Sequence, residues 1–233
     1  MPEIHNTEDL LEWLDLNHAT RVRTQAASLD GPALGKYLNR PKFLKSVPEG
    51  HSIADMALAM DMGGFPYLSF WSEFRNEALG DIYLKPDLST LCPDGQDPNL
   101  VNCIGDFVSV HGEPINVCPR GALKRLTAEL AARGYSVKAT FELEFFLFHD
   151  SYAEARIKGY RQLRPTRSSA LQNIYHLRNA YHAKPFMDAA LHRLEKLGIE
   201  WEAWSDEEGP GQVELNLAPS DPVTTAPFSL MVT

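Results

Sequence analysis

Cysteine is scarce in this chain of 233 residues: Cys92, Cys103 and Cys118 are far apart and form no CxxC. An odd, scattered set excludes a disulfide framework and a thiolate zinc site, and it suits a reducing cytoplasm. Positive charge is in deficit too. Lys and Arg number 22 against 31 Asp and Glu, a formal net charge of −9, which repels a phosphate backbone and argues against nucleic acid as a partner. No apolar run approaches the roughly 20 residues of a membrane span, and the first seven residues lack the basic-then-apolar order of a secretory signal. No membrane partner is expected, and the cytoplasm is the expected location.

Several catalytic signatures are missing as well. The eight histidines form no HxxxH pair, and His192 is read as a helix-surface residue. No GxSxG or local cysteine signature marks a nucleophile. GPALGKY at 31–37 echoes a phosphate loop, but the spacing is one residue short and Tyr37 stands where a metal-binding hydroxyl is needed, so it reads as a turn. What remains is ordinary globular material: 44% hydrophobic and 10% aromatic residues, enough for a buried core.

The pattern changes once along the chain. A short helix is expected over 7–17, with Thr7 able to cap it and Leu10, Leu11 and Leu14 on one stripe. Strand-like pieces follow at 22–27, 52–59, 81–84 and 107–110, and His111-Gly112-Glu113 reads as a hairpin turn. From Pro119 a helix is expected up to Gly134, with Leu123, Leu126 and Leu130 on one face. A strand over 137–148 comes next, then an Arg-rich connection over 153–169 without a clear period. The unit then repeats: a helix over 185–197 stopped by Gly198, a strand IEWEAW, the turn EEGPG, and a strand over 212–217. The class is α+β, with a small sheet-rich domain over 1–116 and a second domain over 117–233.

Strand alternation separates core from chemistry. Over 137–148 the odd positions are Val, Ala, Phe, Leu, Phe and Leu, while the even ones are Lys138, Thr140, Glu142, Glu144, Phe146 and Phe148; over 212–217 the even positions are Gln212, Glu214 and Asn216. With Glu207, four glutamates lie on or beside strands. Carboxylates one strand pitch apart repel unless water or a cation neutralises them, and hard oxygen donors suit Mg2+ or Mn2+. Two readings stay open here. Glu142 and Glu144 either face solvent, as polar faces of antiparallel sheets do, or share a partly covered cleft with Phe146 and Phe148, where unpaired charge is costly.

FELEFFLF at 141–148, followed by EEGPGQVELNL at 207–217, resembles the glutamine synthetase family, in which an ExE(F/Y)(F/Y)LF strand and an E-x(6)-E element containing GQxE carry metal-binding glutamates. PDLSTL at 86–91, HGEPINVCPRGALKR at 111–125 and SDP at 220–222 extend the resemblance from about Val22 onward. It implies a β-grasp N-terminal domain followed by the first part of a catalytic sheet domain. It also implies an ATP-dependent ligase that phosphorylates the γ-carboxylate of glutamate and lets ammonia or an amine displace the phosphate. By the same resemblance Glu144, Glu207 and Glu214 hold the divalent ion beside the substrate carboxylate, and Glu142 a ligand position on the ion that bridges the ATP phosphates. Asp61, in AMDMGG, matches an aspartate that helps bind the attacking nitrogen across a subunit boundary of a homo-oligomeric ring.

Departures from the family pattern are part of the expectation. LGK at 34–36 replaces an RGK-type turn, and the His, Glu and arginines that the family places after the SDP turn do not occur before Thr233. The resemblance therefore implies a truncated ligase, or half of a split one, inactive alone. The spacing of the E-x(6)-E element with GYRQLRP and NIYHL is closer to amine-using branches such as γ-glutamylpolyamine synthetases. Two other classes compete: a non-catalytic relative acting by subunit interaction, and a two-metal nuclease or phosphatase. The second is disfavoured by the acidic balance and by the lack of a Lys beside the ELE pair.

Overall fold

The computed structural model describes residues 3–61, 63–65, 67, 80–167 and 174–224. The chain divides into two units: the described residues of Met1–Lys138, Lys196–Gly198 and Asp221–Thr233, and those of Ala139–Glu195 and Ile199–Ser220.

In the first unit the leading helix spans Thr7–Leu16. Its cap is Asn6, whose side chain accepts from the Asp9 amide at 2.9 Å; Thr7 is already helical, because Asn in extended backbone satisfies the orphan amides one residue earlier. Leu10 and Leu14 are buried with Val22, Leu38, Phe43, Val101 and Cys103. The sheet beneath is mixed. β1 (Arg21–Ala27) pairs antiparallel with β2 (Ala33–Asn39) and parallel with β6 (Leu100–Val108). β4 (Asp81–Pro86) lies antiparallel to β6 and to β3 (His51–Ala54), giving the order β2-β1-β6-β4-β3, and β5 (Cys92–Pro93) pairs with β6. A second cluster, with Ala26, Ile53, Ile82, Leu84 and Phe107, fills the rest of this core.

Three further expectations are corrected in this unit. GPALGKY is not a turn: residues 33–39 are β2, and the turn precedes it, closed by Ser28 N–H donating to Pro32 O at 2.9 Å. Gly35 is present because a Cβ there would collide with the Thr24 carbonyl of the neighbouring strand. The strand expected over 52–59 stops at Ala54 and continues as a 3-10 turn, Asp55–Ala59. The helix after the hairpin spans Pro119–Ala132, but its leucine stripe does not seat it, since Leu126 is 55% exposed and the one buried residue is Arg120. Charge holds this helix instead. Arg120 reaches Asp87 at 2.8 Å and Asp106 at 3.0 Å, and Lys124 reaches the same two at 3.2 and 2.6 Å.

The second unit is an antiparallel sheet in the order β7-β9-β8, from β7 (Glu142–Phe146), β9 (Gln212–Leu217) and β8 (Trp201–Asp206). β9 matches its expected span, with Val213, Leu215 and Leu217 buried and the residues between them half-buried. The helix Lys184–Lys196 buries Met187, Leu191 and Leu194, and its Phe186 ring meets Phe145 of β7 edge-on at 5.6 Å. Gly198 follows at φ +69°, the left-handed turn that ends the helix. The Arg-rich connection is not featureless: Ser151 and Glu154 form a capping box that starts a helix, Tyr152–Ile157.

Candidate functional site

Register decides which side chains share a face of the second sheet. Glu144 lies directly opposite Glu214, which faces Ser205 on its other side. Glu142 is opposite Asn216, and Phe146 opposite Gln212. Past the end of β8 the Glu207 amide donates to Gln212 O at 3.0 Å, and the Glu207 carboxylate accepts from the Ser205 hydroxyl at 3.0 Å. All four glutamates therefore lie on the face away from the buried residues of β9.

Each central carboxylate has a neutral donor. Gln212 Nε2 donates to Glu144 at 2.6 Å and Asn216 Nδ2 to Glu214 at 2.9 Å. Like charges set opposite one another destabilise a strand pair; these amides and the Ser205 hydroxyl offset part of that cost without removing charge. Alternation had already put Gln212 and Asn216 on this face, whereas Ser205 carried no sequence signal.

The turn between β8 and β9 is fixed by its own backbone. The Gln212 amide donates to Gly209 O at 2.9 Å, and Gln212 Oε1 accepts from the Gly209 amide at 2.9 Å. Gly211 sits at φ +78°, where a Cβ would come within 2.6 Å of the Leu147 carbonyl. The sequence EEGPGQ is thus tied to this exact bend, and it sets Glu207 beside Gln212.

Of the two readings left open for the surroundings, exposure is the one found for the first two carboxylates. Glu142 and Glu144 are exposed, and Phe146 and Phe148, stacked at 6.4 Å between centroids, are 51% and 39% exposed. Among the described residues they do not form a covered cleft around the first two carboxylates. Glu207 differs, being 8% exposed.

The donor set fits a divalent ion in chemistry: four carboxylates on one face, with neither thiolate nor imidazole among them, suit Mg2+ or Mn2+. Glu144 and Glu214 form the centre of that set, Glu207 its buried flank and Glu142 its outer end. Among the described residues no three His, Cys, Asp or Glu side chains converge into a metal-holding group. Asp61 belongs to the first unit, in a turn where its carboxylate accepts from the Phe65 amide at 2.8 Å.

Residues 116–231 match the catalytic domain of glutamine synthetase. The chain belongs to the glutamine synthetase family. All four glutamates fall inside the matched segment and Asp61 outside it. Among curated relatives, a glutamate–isopropylamine ligase of a Pseudomonas species is 28% identical over 224 residues, covering 95% of this chain and 48% of that protein. A gamma-glutamylethanolamide synthetase of Streptomyces coelicolor is 26% identical over 188 residues, covering 80% and 40%. The chain thus spans about half the length or less of these relatives. The solved structure of GmaS with ADP superposes with a TM-score of 0.74 at 21% identity, over 100% of this chain and 48% of that one, a likeness of fold. No helix among the described residues is long and apolar enough to cross a membrane.

Proposed function

We propose that this glutamine synthetase family chain contributes the metal-binding strands of an ATP-dependent ligase joining glutamate to ammonia or an amine as a γ-glutamyl amide, through γ-glutamyl phosphate. The observation that carries the reading is the row Glu144–Glu214–Ser205, flanked by Glu207 and Glu142 on the same face. Glu144, Glu207 and Glu214 would hold a divalent ion near the substrate carboxylate, and Glu142 one near the ATP phosphates. When bound, such ions neutralise charge between a carboxylate and the phosphoryl group it must meet. Gln212, Asn216 and Ser205 orient the carboxylate oxygens. An organic amine is the favoured nitrogen source, a reading supported by the amine-named relatives. The β-grasp assignment of 1–116, a catalytic domain from 117, Asp61 as a nitrogen-binding residue, a cytoplasmic location and a homo-oligomeric ring belong to the same proposal.

The exposure of Glu142 and Glu144, with no three acidic side chains converging among the described residues, favours one second reading: a non-catalytic relative that acts by subunit interaction. A Mn2+ titration followed by the free-ion EPR signal tests the ligand assignment on which the ligase reading depends. The ligase reading expects saturable binding that Glu144→Ala, Glu207→Ala and Glu214→Ala each weaken by about tenfold or more, as loss of a charged ligand does. Binding that is unchanged in all three variants sinks it.

A further inference from the structure

Arg167 is 3% exposed, yet its surroundings are mostly backbone. Its Nη2 donates to Glu207 O at 2.7 Å, Gly209 O at 2.7 Å and Glu208 O at 3.3 Å. Its Nε lies 3.1 Å from Asp206 Oδ1, a carboxylate equally buried. Three consecutive carbonyls turned toward one nitrogen mean that the backbone of 207–209 curls around the guanidinium. A buried cation with such partners is costly to disturb, because the carbonyls it leaves lose their donor, and the contact to Glu207 O is fully buried.

The guanidinium arrives from outside the sheet. The Thr166 amide donates to Leu147 O at 2.9 Å and the His149 amide to Arg164 O at 2.8 Å, so residues 164–166 run beside the end of the strand that carries Glu142 and Glu144. From there Arg167 reaches the turn that carries Glu207. That turn in turn holds Gln212, through the Gly209 amide, and Gln212 donates to Glu144. One side chain therefore braces two of the four carboxylates without touching either.

We propose that Arg167 is a positioning residue for the metal-binding face: it clamps the 207–209 carbonyls and so fixes where the Glu207 carboxylate and the Gln212 amide stand. This rests on the reading of the glutamates as metal ligands. Groups that orient metal ligands from behind commonly control affinity nearly as strongly as the ligands do.

The test separates the clamp from the ion pair. Asp206→Asn keeps the guanidinium on its three carbonyls and should retain Mn2+ affinity within about twofold. The paired change Arg167→Met with Asp206→Leu removes both charges together, which stability tolerates better than removing one, and leaves the carbonyls without their donor. It should weaken Mn2+ binding by about 10-fold or more, with circular dichroism unchanged. Amide exchange in metal-free protein gives the second readout: the Glu207, Gly209 and Gln212 amides should exchange about 10-fold faster in the paired variant, while β9 amides beyond Gln212 keep their protection. If the paired variant does not fold, Arg167→Lys, which keeps a cation by Asp206 but not the reach of one nitrogen to three carbonyls, is read the same way. A folded variant with unaltered exchange at these amides overturns the clamp, and altered exchange with unaltered Mn2+ affinity overturns its role in positioning. If the unsubstituted protein binds no Mn2+, the ligand reading fails instead, and exchange alone decides whether the clamp exists.

Discussion

Replacing Glu214 by Gln should make the metal-free protein more stable and the metal-loaded protein less so. Glu144 and Glu214 face each other across a strand pair, a placement that brings their Cβ atoms to about 5 Å. Coulomb repulsion at that distance is about 0.8–1.7 kcal/mol for an effective dielectric between about 40 and 80. Gln at 214 keeps an oxygen to accept from the Asn216 amide, now 2.9 Å from Glu214, so little hydrogen bonding offsets the gain. A net stabilisation of about 0.5–1 kcal/mol is expected at low salt, falling toward zero at 1 M KCl, where the screening length is about 3 Å. With Mn2+ at about 100 times its Kd, the unsubstituted protein gains about 2.7 kcal/mol by linkage, and a variant that binds about tenfold more weakly gains only about 1.4 kcal/mol. The order of stability should therefore invert between chelator and Mn2+. Urea unfolding followed by circular dichroism, with and without metal and at two salt concentrations, measures all four states. A variant that is less stable without metal, or equal stabilisation of both proteins by Mn2+, refutes the reasoning.

Burial alone would raise the Asp87 carboxyl, but the Ser89 hydroxyl, the Arg120 guanidinium and the Lys124 ammonium outweigh it and hold it at about 2 against an ordinary 3.8. Its stabilising contribution is complete above the ordinary value and is lost as pH falls through about 2, so Asp87→Asn should cost about 1–2 kcal/mol at pH 7, after screening of a partly wetted pair, and the cost should shrink between pH 4 and 2. Equilibrium unfolding at several pH values checks this, and a cost constant with pH counts against the network. Gly211→Ala places a Cβ against the Leu147 carbonyl at positive φ; a loss of about 2–3 kcal/mol, read as a fall in Tm, is expected, and a neutral result would show that the turn yields. Burial pushes the Cys103 thiol up to about 12, so iodoacetamide at pH 8 should label it on unfolding and not before, as peptide mass spectrometry would report.

Alternation makes β9 of the second sheet legible from residue order alone, while β7 is shorter than the strand expected over 137–148. Gln212–Leu217 is the strand and face that its sequence implies, because a two-residue period with Val and Leu on one side leaves one orientation. The same logic puts Glu142, Glu144 and Glu214 on polar strand faces, whereas Glu207 lies past the end of β8 and joins them only through the family resemblance. It did not supply their surroundings: the exposed rings of Phe146 and Phe148 follow from tertiary packing, on which strand period is silent. β2 escapes a local reading because Gly31 and Pro32 do belong to the hairpin turn, while Gly35 is required two residues into the strand by the close Thr24 carbonyl of β1. The helix Pro119–Ala132 looked amphipathic through its leucines, yet Arg120 and Lys124 seat it through Asp87 and Asp106, partners that no helical period encodes. Arg167 was invisible for a related reason: a side chain that binds carbonyls has partners without side-chain identity.

The Gly-Pro-Gly bend has an implication for sequence drift. Since neighbouring residues of a strand point to opposite sides, a residue added or deleted between Glu207 and Gln212 must be taken up within the bend itself, because a shift carried into β9 would send Glu214 inward and Val213 outward. Length changes should then be rare at this bend among relatives that keep the acidic face, since the paired Gly209–Gln212 hydrogen bonds and the left-handed Gly211 leave it little slack.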